Sequence, residues 1–283
     1  MRKLIKKVLR KYGIEISRTA KQKPNIYNQI SKYSSLNEKY RTLLSMPNMS
    51  RGNYVWGAIC GADLASNLNL DKISFIEFGV AGGNGLIELE TIAIEIEKMY
   101  NISVDVFGFD TGKGLTKPVD YRDLPHLWNE GFYPMDVEKL QGILKKSKLI
   151  LGDIKDTIDD FIVSKPAPIA FISFDMDLYT PTVEAFKVFE DDNAILLPRV
   201  HCYFDDIMGY SYSEYNGERL AISEFNQKFE TKKISPIYCL EHYIENSPDW
   251  AKKIYMAHFF DHGLYNTNDG MLVQPDLPLP EQA

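Results

Sequence analysis

Phe75-Ile76-Glu77-Phe78-Gly79-Val80-Ala81-Gly82-Gly83-Asn84-Gly85 is the stretch whose reading decides the fold. An apolar run from Ile73 to Phe78 reads as a strand. Four glycines, Gly79, Gly82, Gly83 and Gly85, let the backbone turn tightly and approach a ligand. A helical pattern over Leu86–Tyr100 follows. Strand, glycine turn and helix together open an α/β unit.

Working outward, the alternation continues. Strands are expected at Val104–Asp110, Lys148–Leu151, Ile169–Phe174, Val200–Phe204, Ile234–Leu240 and Ile254–Phe259. Helices are expected at Tyr54–Asn67, Asp136–Lys145, Pro181–Phe189 and Arg219–Phe229, with one more around Tyr27–Leu44. This pattern predicts an α/β, Rossmann-like, doubly wound and mainly parallel seven-stranded sheet with helices on both faces. The expected organisation is a basic helix and helical cap over 1–53, one domain over 54–269 and an extended Pro-rich tail over 270–283. The segment Thr111–Met135, rich in Gly, Pro and aromatics, reads as a long functional loop.

Composition narrows the function. The chain has 283 residues, 45% hydrophobic and 25% charged, which suits a globular protein with a sizeable core. Its net charge of −7 hides an asymmetry: residues 1–23 hold nine Lys/Arg against Glu15, leaving 23 basic and 38 acidic residues elsewhere. An acidic body argues against nucleic acid as a partner. Cys60, Cys202 and Cys239 are far apart and form no Cys-x-x-Cys pair, which fits a reducing, cytoplasmic setting. No apolar run reaches the ~18 residues of a membrane span, and a cleaved signal is not expected. Residues 2–12 place Leu4, Ile5, Val8, Leu9 and Tyr12 on one helical face and Lys and Arg on the other. Two readings stand side by side: a helix capping the body, or one lying peripherally on the inner face of an anionic membrane. A homo-oligomer also stays open.

Open α/β sheets bind ligands beyond the carboxyl ends of their strands, so the residues at those ends carry the chemistry. A glycine turn also serves dinucleotide-binding folds, but Glu77 separates the two cases. A carboxylate at the loop mouth would repel a pyrophosphate and suits a cationic ligand, and the spacing misses Gly-x-Gly-x-x-Gly. S-adenosylmethionine, with its sulfonium and ammonium groups, is such a ligand. Asp110, ending the next strand, can accept hydrogen bonds from ribose hydroxyls. Asp153, after Leu151-Gly152, can meet an adenine amino group or simply cap a helix. A second set follows, Asp175-Met176-Asp177 and Asp205-Asp206. If their strands are neighbours, four carboxylates share one rim and repel one another unless a divalent cation joins them. All-oxygen ligands suit Mg²⁺ or Mn²⁺.

With these motifs in order, the sequence resembles the macrocin O-methyltransferase family, magnesium-dependent sugar O-methyltransferases with a class I, S-adenosylmethionine-dependent fold. Glu77–Gly85 looks like the family's donor loop, Phe109-Asp110-Thr111-Gly112-Lys113-Gly114-Leu115 like its Phe-Asp-Thr segment, Asp175-Met176-Asp177-Leu178-Tyr179 like its Asp-Gly-Asp-Leu-Tyr, and Asp205-Asp206 like its acid pair. The resemblance implies O-methylation of a small-molecule or glycan acceptor. It also implies a metal at Asp175, Asp205 and Asp206, with Asp177, beside Asp175, near the acceptor hydroxyl as general base. Two departures stand out: Met176 replaces a glycine, and Leu196-Leu197-Pro198-Arg199 stands where the family has a Gly-Gly turn. Three rival readings are a metal-independent methyltransferase, a nicotinamide-dependent oxidoreductase and a non-catalytic component of a polysaccharide assembly system.

His258 and His262 have helical metal-pair spacing but fall at a strand end, where packing roles are expected. His201 reads as a buried, hydrogen-bonded histidine. Tyr121-Arg122-Asp123 and Trp128 read equally as a lid or as an anchored surface loop. Arg199 and Arg219 could bind an anionic acceptor group or pair with carboxylates.

Overall fold

A computed structural model describes residues 31–190, 193–244 and 246–267. The expected helix over 2–12, the start of the helix expected from Tyr27 and the tail from Gly270 lie outside the described residues. One sheet holds seven strands: β1 (Lys72–Phe78), β2 (Ser103–Asp110), β3 (Lys148–Leu151), β4 (Ile169–Phe174), β5 (Leu196–Phe204), β6 (Lys232–Pro236) and β7 (Ile254–Phe259). Their order is β3-β2-β1-β4-β5-β7-β6. Strands β1 to β5 pair in parallel, and β7 runs antiparallel to both its neighbours. This is a doubly wound, Rossmann-like arrangement. The chain builds outward from β1 to β3 and then returns to place β4 on the other side of β1. That reversal is the topological switch point where such sheets open a crevice.

The helices are α1 (Ser31–Leu44), α2 (Gly52–Asn67), α3 (Asn84–Tyr100), α4 (Val137–Ile143), α5 (Ile154–Val163), α6 (Tyr179–Ala185) and α7 (Gly217–Lys228). Strand periodicity sorts the side chains between two helical layers. Phe171 and Ser173 of β4 face α2, where Phe171 packs edge-on to Tyr54 at 5.8 Å and the Ser173 hydroxyl reaches Tyr54. Phe174 faces the other way, against Phe186 just after α6. Because both faces are covered, β1 and β4 are apolar almost throughout, with every residue buried except Lys72. Helix α2 lies close on β4 because it carries glycine there: a Cβ on Gly61 would stand 2.6 Å from the Ala170 carbonyl oxygen.

Several boundaries differ from expectation, each for a local reason. Strand β5 starts at Leu196 rather than Val200, and its pairing with β4 shifts register between Ile169 and Phe171. Pro198 has no N–H to give the ladder, so the irregularity falls beside it. Helix α6 starts at Tyr179 and tightens into a 3₁₀ turn over Phe186–Phe189. Helix α5 was not expected at all, although Asp153 caps it and Ile154, Ile158 and Phe161 form its buried stripe. The last expected strand pair is present, but β6 ends at Pro236.

Candidate active site

A row of phenylalanines fixes the level of the site. Phe109, Phe78, Phe174 and Phe204 are register partners across β2, β1, β4 and β5. Their ring centroids are 4.9, 5.4 and 4.7 Å apart in that order, and the Phe174 and Phe204 planes differ by 5°. The residue after each phenylalanine therefore emerges at the same edge of the sheet: Asp110, Gly79, Asp175 and Asp205. A cleft of about 410 Å³ opens above this row, lined among others by Glu77, Gly82, Asp153, Asp177 and Asp206. The sequence-predicted residues thus meet in one place.

The glycine loop forms one half. Gly79 has φ +86°, and a Cβ there would stand 1.7 Å from the Asp175 carbonyl oxygen, so the loop and the end of β4 touch only through glycine. Gly83, also left-handed, precedes α3 against Leu140. Gly85 leaves room for an acid: its Cβ would lie 1.9 Å from Glu77 Oε1. Gly82 is different, because a Cβ there would meet nothing within 4 Å. The protein's own packing does not require Gly82, whereas close approach by a ligand would.

Glu77 is 2% exposed. Its Oε1 accepts from the Tyr54 hydroxyl at 2.6 Å, and Tyr54 accepts in turn from Ser173 Oγ at 2.9 Å. Glu77 Oε2 has no partner among the described residues. Burial pushes this carboxyl up to about 8; the Tyr54 hydrogen bond pulls it down, while Asp175 adds to the rise. A buried carboxyl with one oxygen unsatisfied is costly, and a cationic group at that oxygen would relieve the cost.

Asp110 has a more local task than expected. Its Oδ2 accepts the Val80 and Ala81 N–H groups at 3.0 and 2.8 Å, and Oδ1 accepts Gly112 N–H at 2.7 Å. Three of a carboxylate's roughly four acceptor positions therefore shape the glycine loop, leaving about one for a ribose hydroxyl. Asp153 caps α5 through Lys155 N–H at 3.2 Å and pairs with Lys155 Nζ at 3.1 Å while lining the cleft.

The second half is acidic. Asp175, Asp205 and Asp206 each offer an oxygen, and these oxygens lie within 4.8 Å of one another. Asp206 is held by Tyr212, whose hydroxyl donates to Oδ1 at 2.9 Å, and by the Asp177 N–H on Oδ2 at 3.0 Å. Asp205 accepts from Lys253 Nζ at 3.1 Å and from the Tyr203 hydroxyl. Asp177 sits where the backbone is left-handed, at φ +61°. Met176, just before it, is not among the left-handed residues. Burial raises the Asp175 carboxyl to about 7, helped by Asp205 and Asp206. Burial and mutual repulsion also hold Asp177 and Asp206 above the usual carboxylate range. Three oxygen donors without a thiol or imidazole suit a hard divalent cation, which would replace the missing positive charge.

Sequence reasoning overlooked several participants. Arg51 lines the cleft just ahead of α2. Tyr54 organises Glu77. Glu218 of α7 is fully buried, takes the Asp206 N–H on Oε2 at 3.0 Å and is pushed well above its ordinary value, by burial first and Asp206 next. Lys253 supplies the counter-charge on Asp205. None has a local motif; each reaches the site through tertiary packing of α2, α7 or β7. The long loop contributes Trp128, Phe132 and Tyr133 to the lining. It is latched by buried Asp123, which accepts Val119 N–H at 2.8 Å, Thr180 N–H at 2.7 Å and Thr180 Oγ1 at 2.8 Å.

The remaining candidates settle into packing. His258, on β7, meets the Tyr265 hydroxyl at 2.9 Å, and His262 accepts Leu264 N–H at 3.0 Å. His201 is buried within β5. Arg199 binds the Tyr265 carbonyl at 3.1 Å, and Arg219 binds Glu214 and the Ile207 carbonyl. No helix among the described residues is long and apolar enough to cross a membrane.

No protein-family model matches the sequence, and no curated protein matches it. Among solved structures it is similar to the calicheamicin methyltransferase CalS11, at 20% identity over 70% of this chain and 72% of that one, with a TM-score of 0.44. A second structure, described as the apo form of CalS11, a TDP-rhamnose 3'-O-methyltransferase, matches at 18% identity over 70% and 71%, with a TM-score of 0.35. An O-methyltransferase from Bacillus cereus in complex with SAH matches at 10% identity over 90% and 96%, with a TM-score of 0.39. At such identities and scores these likenesses carry nothing about chemistry; the strand order describes the fold, a Rossmann-like one, and the cleft's own residues describe the site.

Proposed function

We propose that this chain is an S-adenosylmethionine-dependent O-methyltransferase that uses Mg²⁺ and methylates a hydroxyl of a sugar or glycoconjugate. One observation carries the reading: a single cleft joins a glycine loop and an unsatisfied buried carboxyl at the end of β1 to three converging carboxylates at the ends of β4 and β5. The first half has the charge and close backbone approach that a sulfonium donor needs. Asp175, Asp205 and Asp206 would hold the cation, which when bound lowers the pKa of an acceptor hydroxyl. Asp177, beside them and held above the usual carboxylate range, is the group suited to take that hydroxyl's proton near neutral pH. The acceptor oxygen then forms its bond to the methyl carbon as the carbon–sulfur bond breaks and the electron pair stays on sulfur. Positioning in one cleft supplies much of the rate. The rings of Trp128, Phe132 and Tyr133 offer flat apolar faces suited to a sugar ring.

Calorimetry with S-adenosylhomocysteine, followed by methyl transfer to a panel of glycans and sugar nucleotides, tests the proposal. Binding of NAD(H) without S-adenosylhomocysteine would point to an oxidoreductase instead, and donor binding with no turnover to a non-catalytic component. A metal-independent mechanism has one observation in its favour: Lys253 and Tyr203 already hold Asp205. Activity that survives complete chelation by EDTA would establish it. The proposal includes a cytoplasmic site of action, with residues 2–12 touching the membrane surface. Liposome binding unchanged by deletion of residues 1–20 would exclude that contact.

A further inference from the structure

The segment after Asp206 does more than connect β5 to α7. Residues 208–217 read Met-Gly-Tyr-Ser-Tyr-Ser-Glu-Tyr-Asn-Gly. The Tyr212 hydroxyl donates to Asp206 Oδ1 at 2.9 Å, so this loop is rooted at the acidic end of the cleft. Gly209 makes room for that ring, since a Cβ there would stand 2.8 Å from it. The loop also closes on itself. Asn216 accepts the Ser213 N–H on Oδ1 at 2.8 Å and donates to the Ser211 carbonyl at 3.1 Å, and Arg219 binds the Ile207 carbonyl at 3.1 Å. Compact loops of this kind are frequently functional. Tyr210 and Tyr215 are left on the outside: both are largely exposed, and neither side chain has a hydrogen bond or ring contact among the described residues.

A second loop meets this one. A Cβ on Gly217 would lie 3.6 Å from the Tyr212 ring and 4.0 Å from Leu124 of the 111–136 loop. That loop exposes Tyr121, Phe132 and Tyr133, and the last two also line the cleft. Burial, and then the charges of Asp177, Asp206 and Asp175, raise the Tyr133 hydroxyl, which puts this residue at the acidic end as well. Two adjoining loops therefore carry exposed aromatic side chains beside Asp177. Their chemistry restricts what they can bind. A tyrosine ring is a rigid apolar face with a polar tip, and serine and asparagine beside it add small hydrogen-bonding groups. Such a surface matches the C–H faces and hydroxyls of a sugar chain. It does not match a phosphate chain, because residues 208–217 contain no lysine or arginine, and Arg122, beside Tyr121, is held by Asp120. Nor does it match the interface of a homodimer, whose buried core is more apolar; Met208 is the one aliphatic side chain in the 208–217 loop.

We propose that the 208–217 loop, together with the exposed rings of the 111–136 loop, binds the sugar units next to the one that receives the methyl group, so that the acceptor is an uncharged oligosaccharide chain. The inference rests on the sugar-methylation reading above and narrows it. A single sugar reaches only the rings that line the cleft, whereas a longer chain also reaches Tyr210 and Tyr215. A sugar nucleotide would instead bring a pyrophosphate to a cleft lined, among the described residues, by seven acidic side chains and one arginine.

Methyl transfer by the full chain with Mg²⁺ tests it. The acceptors are the mono-, di- and tetrasaccharide of the sugar that the glycan panel shows to be methylated, and the nucleoside-diphosphate ester of that sugar. From mono- to tetrasaccharide, kcat/KM should rise by about five- to a hundred-fold, as two further ring contacts would give. The ester should be a poorer substrate than the monosaccharide. The double variant Tyr210→Ala, Tyr215→Ala should lose the rise with chain length while its melting temperature and S-adenosylhomocysteine affinity stay those of the wild type. A kcat/KM independent of chain length, a preference for the ester, or a double variant that keeps the rise would overturn the inference and leave sugar methylation standing. A double variant that keeps the rise but sediments as a smaller species would assign the loop to contact between copies of the chain, and would overturn it equally. If no sugar of any length is methylated, the sugar reading falls and the inference with it.

Discussion

Removing divalent cations should make this protein less stable as pH rises from about 5 to about 8, and restoring them should reverse the trend. The sign follows from the acids. Glu77, Asp175, Asp177 and Asp206 have carboxyls raised above their ordinary values, so between the unfolded and folded values the folded chain binds more protons. Stability is therefore lost across that window as pH rises. Asp175 alone, moved from 3.8 to about 7, corresponds to on the order of 4 kcal/mol at ~1.4 kcal/mol per unit. Water access and relaxation reduce this, and the acids are not independent, so a few kcal/mol for the set is the working magnitude. Glu90 works in the opposite sense: three backbone N–H groups overcome its burial and hold it below 4.5, so it matters only in more acidic solution. In EDTA, the melting temperature should fall by roughly 5–10 °C across the window, taking ~2–4 °C per kcal/mol for a domain of this size. Mg²⁺ at about a hundred times its dissociation constant should return ~2.7 kcal/mol near pH 8 and almost nothing near pH 5, where protons hold the sites. Scanning calorimetry at constant ionic strength, with a monovalent salt control, measures both effects. A melting temperature that is flat or rising with pH in EDTA, or a magnesium shift of equal size at both ends, would refute the reasoning.

Three further outcomes follow from single contacts. Gly85→Ala would put a Cβ 1.9 Å from Glu77 Oε1 and should cost both donor affinity and roughly 1–3 kcal/mol of stability, whereas Gly82→Ala, with no protein atom in its way, should keep the melting temperature and lose S-adenosylhomocysteine binding in calorimetry. Asp123→Ala removes three hydrogen bonds from a buried carboxylate and should destabilise by about 3–5 kcal/mol or free the 111–136 loop; limited proteolysis would show new cleavage there. Asp177→Asn should lower kcat by roughly a hundred- to ten-thousand-fold and flatten the acidic limb of the pH–rate profile, with S-adenosylhomocysteine affinity unchanged.

Much of this was legible because the fold obeys local rules until it reaches the site. Periods of two and 3.6 located the strands and most helices, and the recurring phenylalanine followed by glycine or aspartate marked where the strands stop. Strand order could not be read from those patterns. That Asp175 and Asp205 are neighbours depends on β4 pairing with β5, which sequence offers only as an expectation. Helix α5 was missed even though Asp153 was read as either a ligand-facing acid or a helix cap; the buried stripe Ile154, Ile158 and Phe161 that follows it was not read as helical. Arg51, Tyr54, Glu218 and Lys253 escaped for a different reason. Their roles arise from which helix lies over which strand end, and nothing in their immediate sequence differs from an ordinary amphipathic pattern.

The two halves of the cleft pose one physical problem and solve it in two ways. In each, the sheet carries carboxyls to a level where burial raises their pKa: Glu77 just before Phe78 of the phenylalanine row, Asp175 and Asp206 beyond its Phe174 and Phe204. Such acids weaken the empty fold, so their presence argues for positive charge arriving from elsewhere. At the β4–β5 end that charge is small and central: Lys253 reaches Asp205, and a cation among three oxygens would complete the neutralisation. At the β1 end, among the described residues, no lysine reaches Glu77; Tyr54 occupies one of its oxygens and the other is buried without a partner. The switch point between β1 and β4 sets these two acidic sites side by side in one cleft, the arrangement the proposed transfer would need.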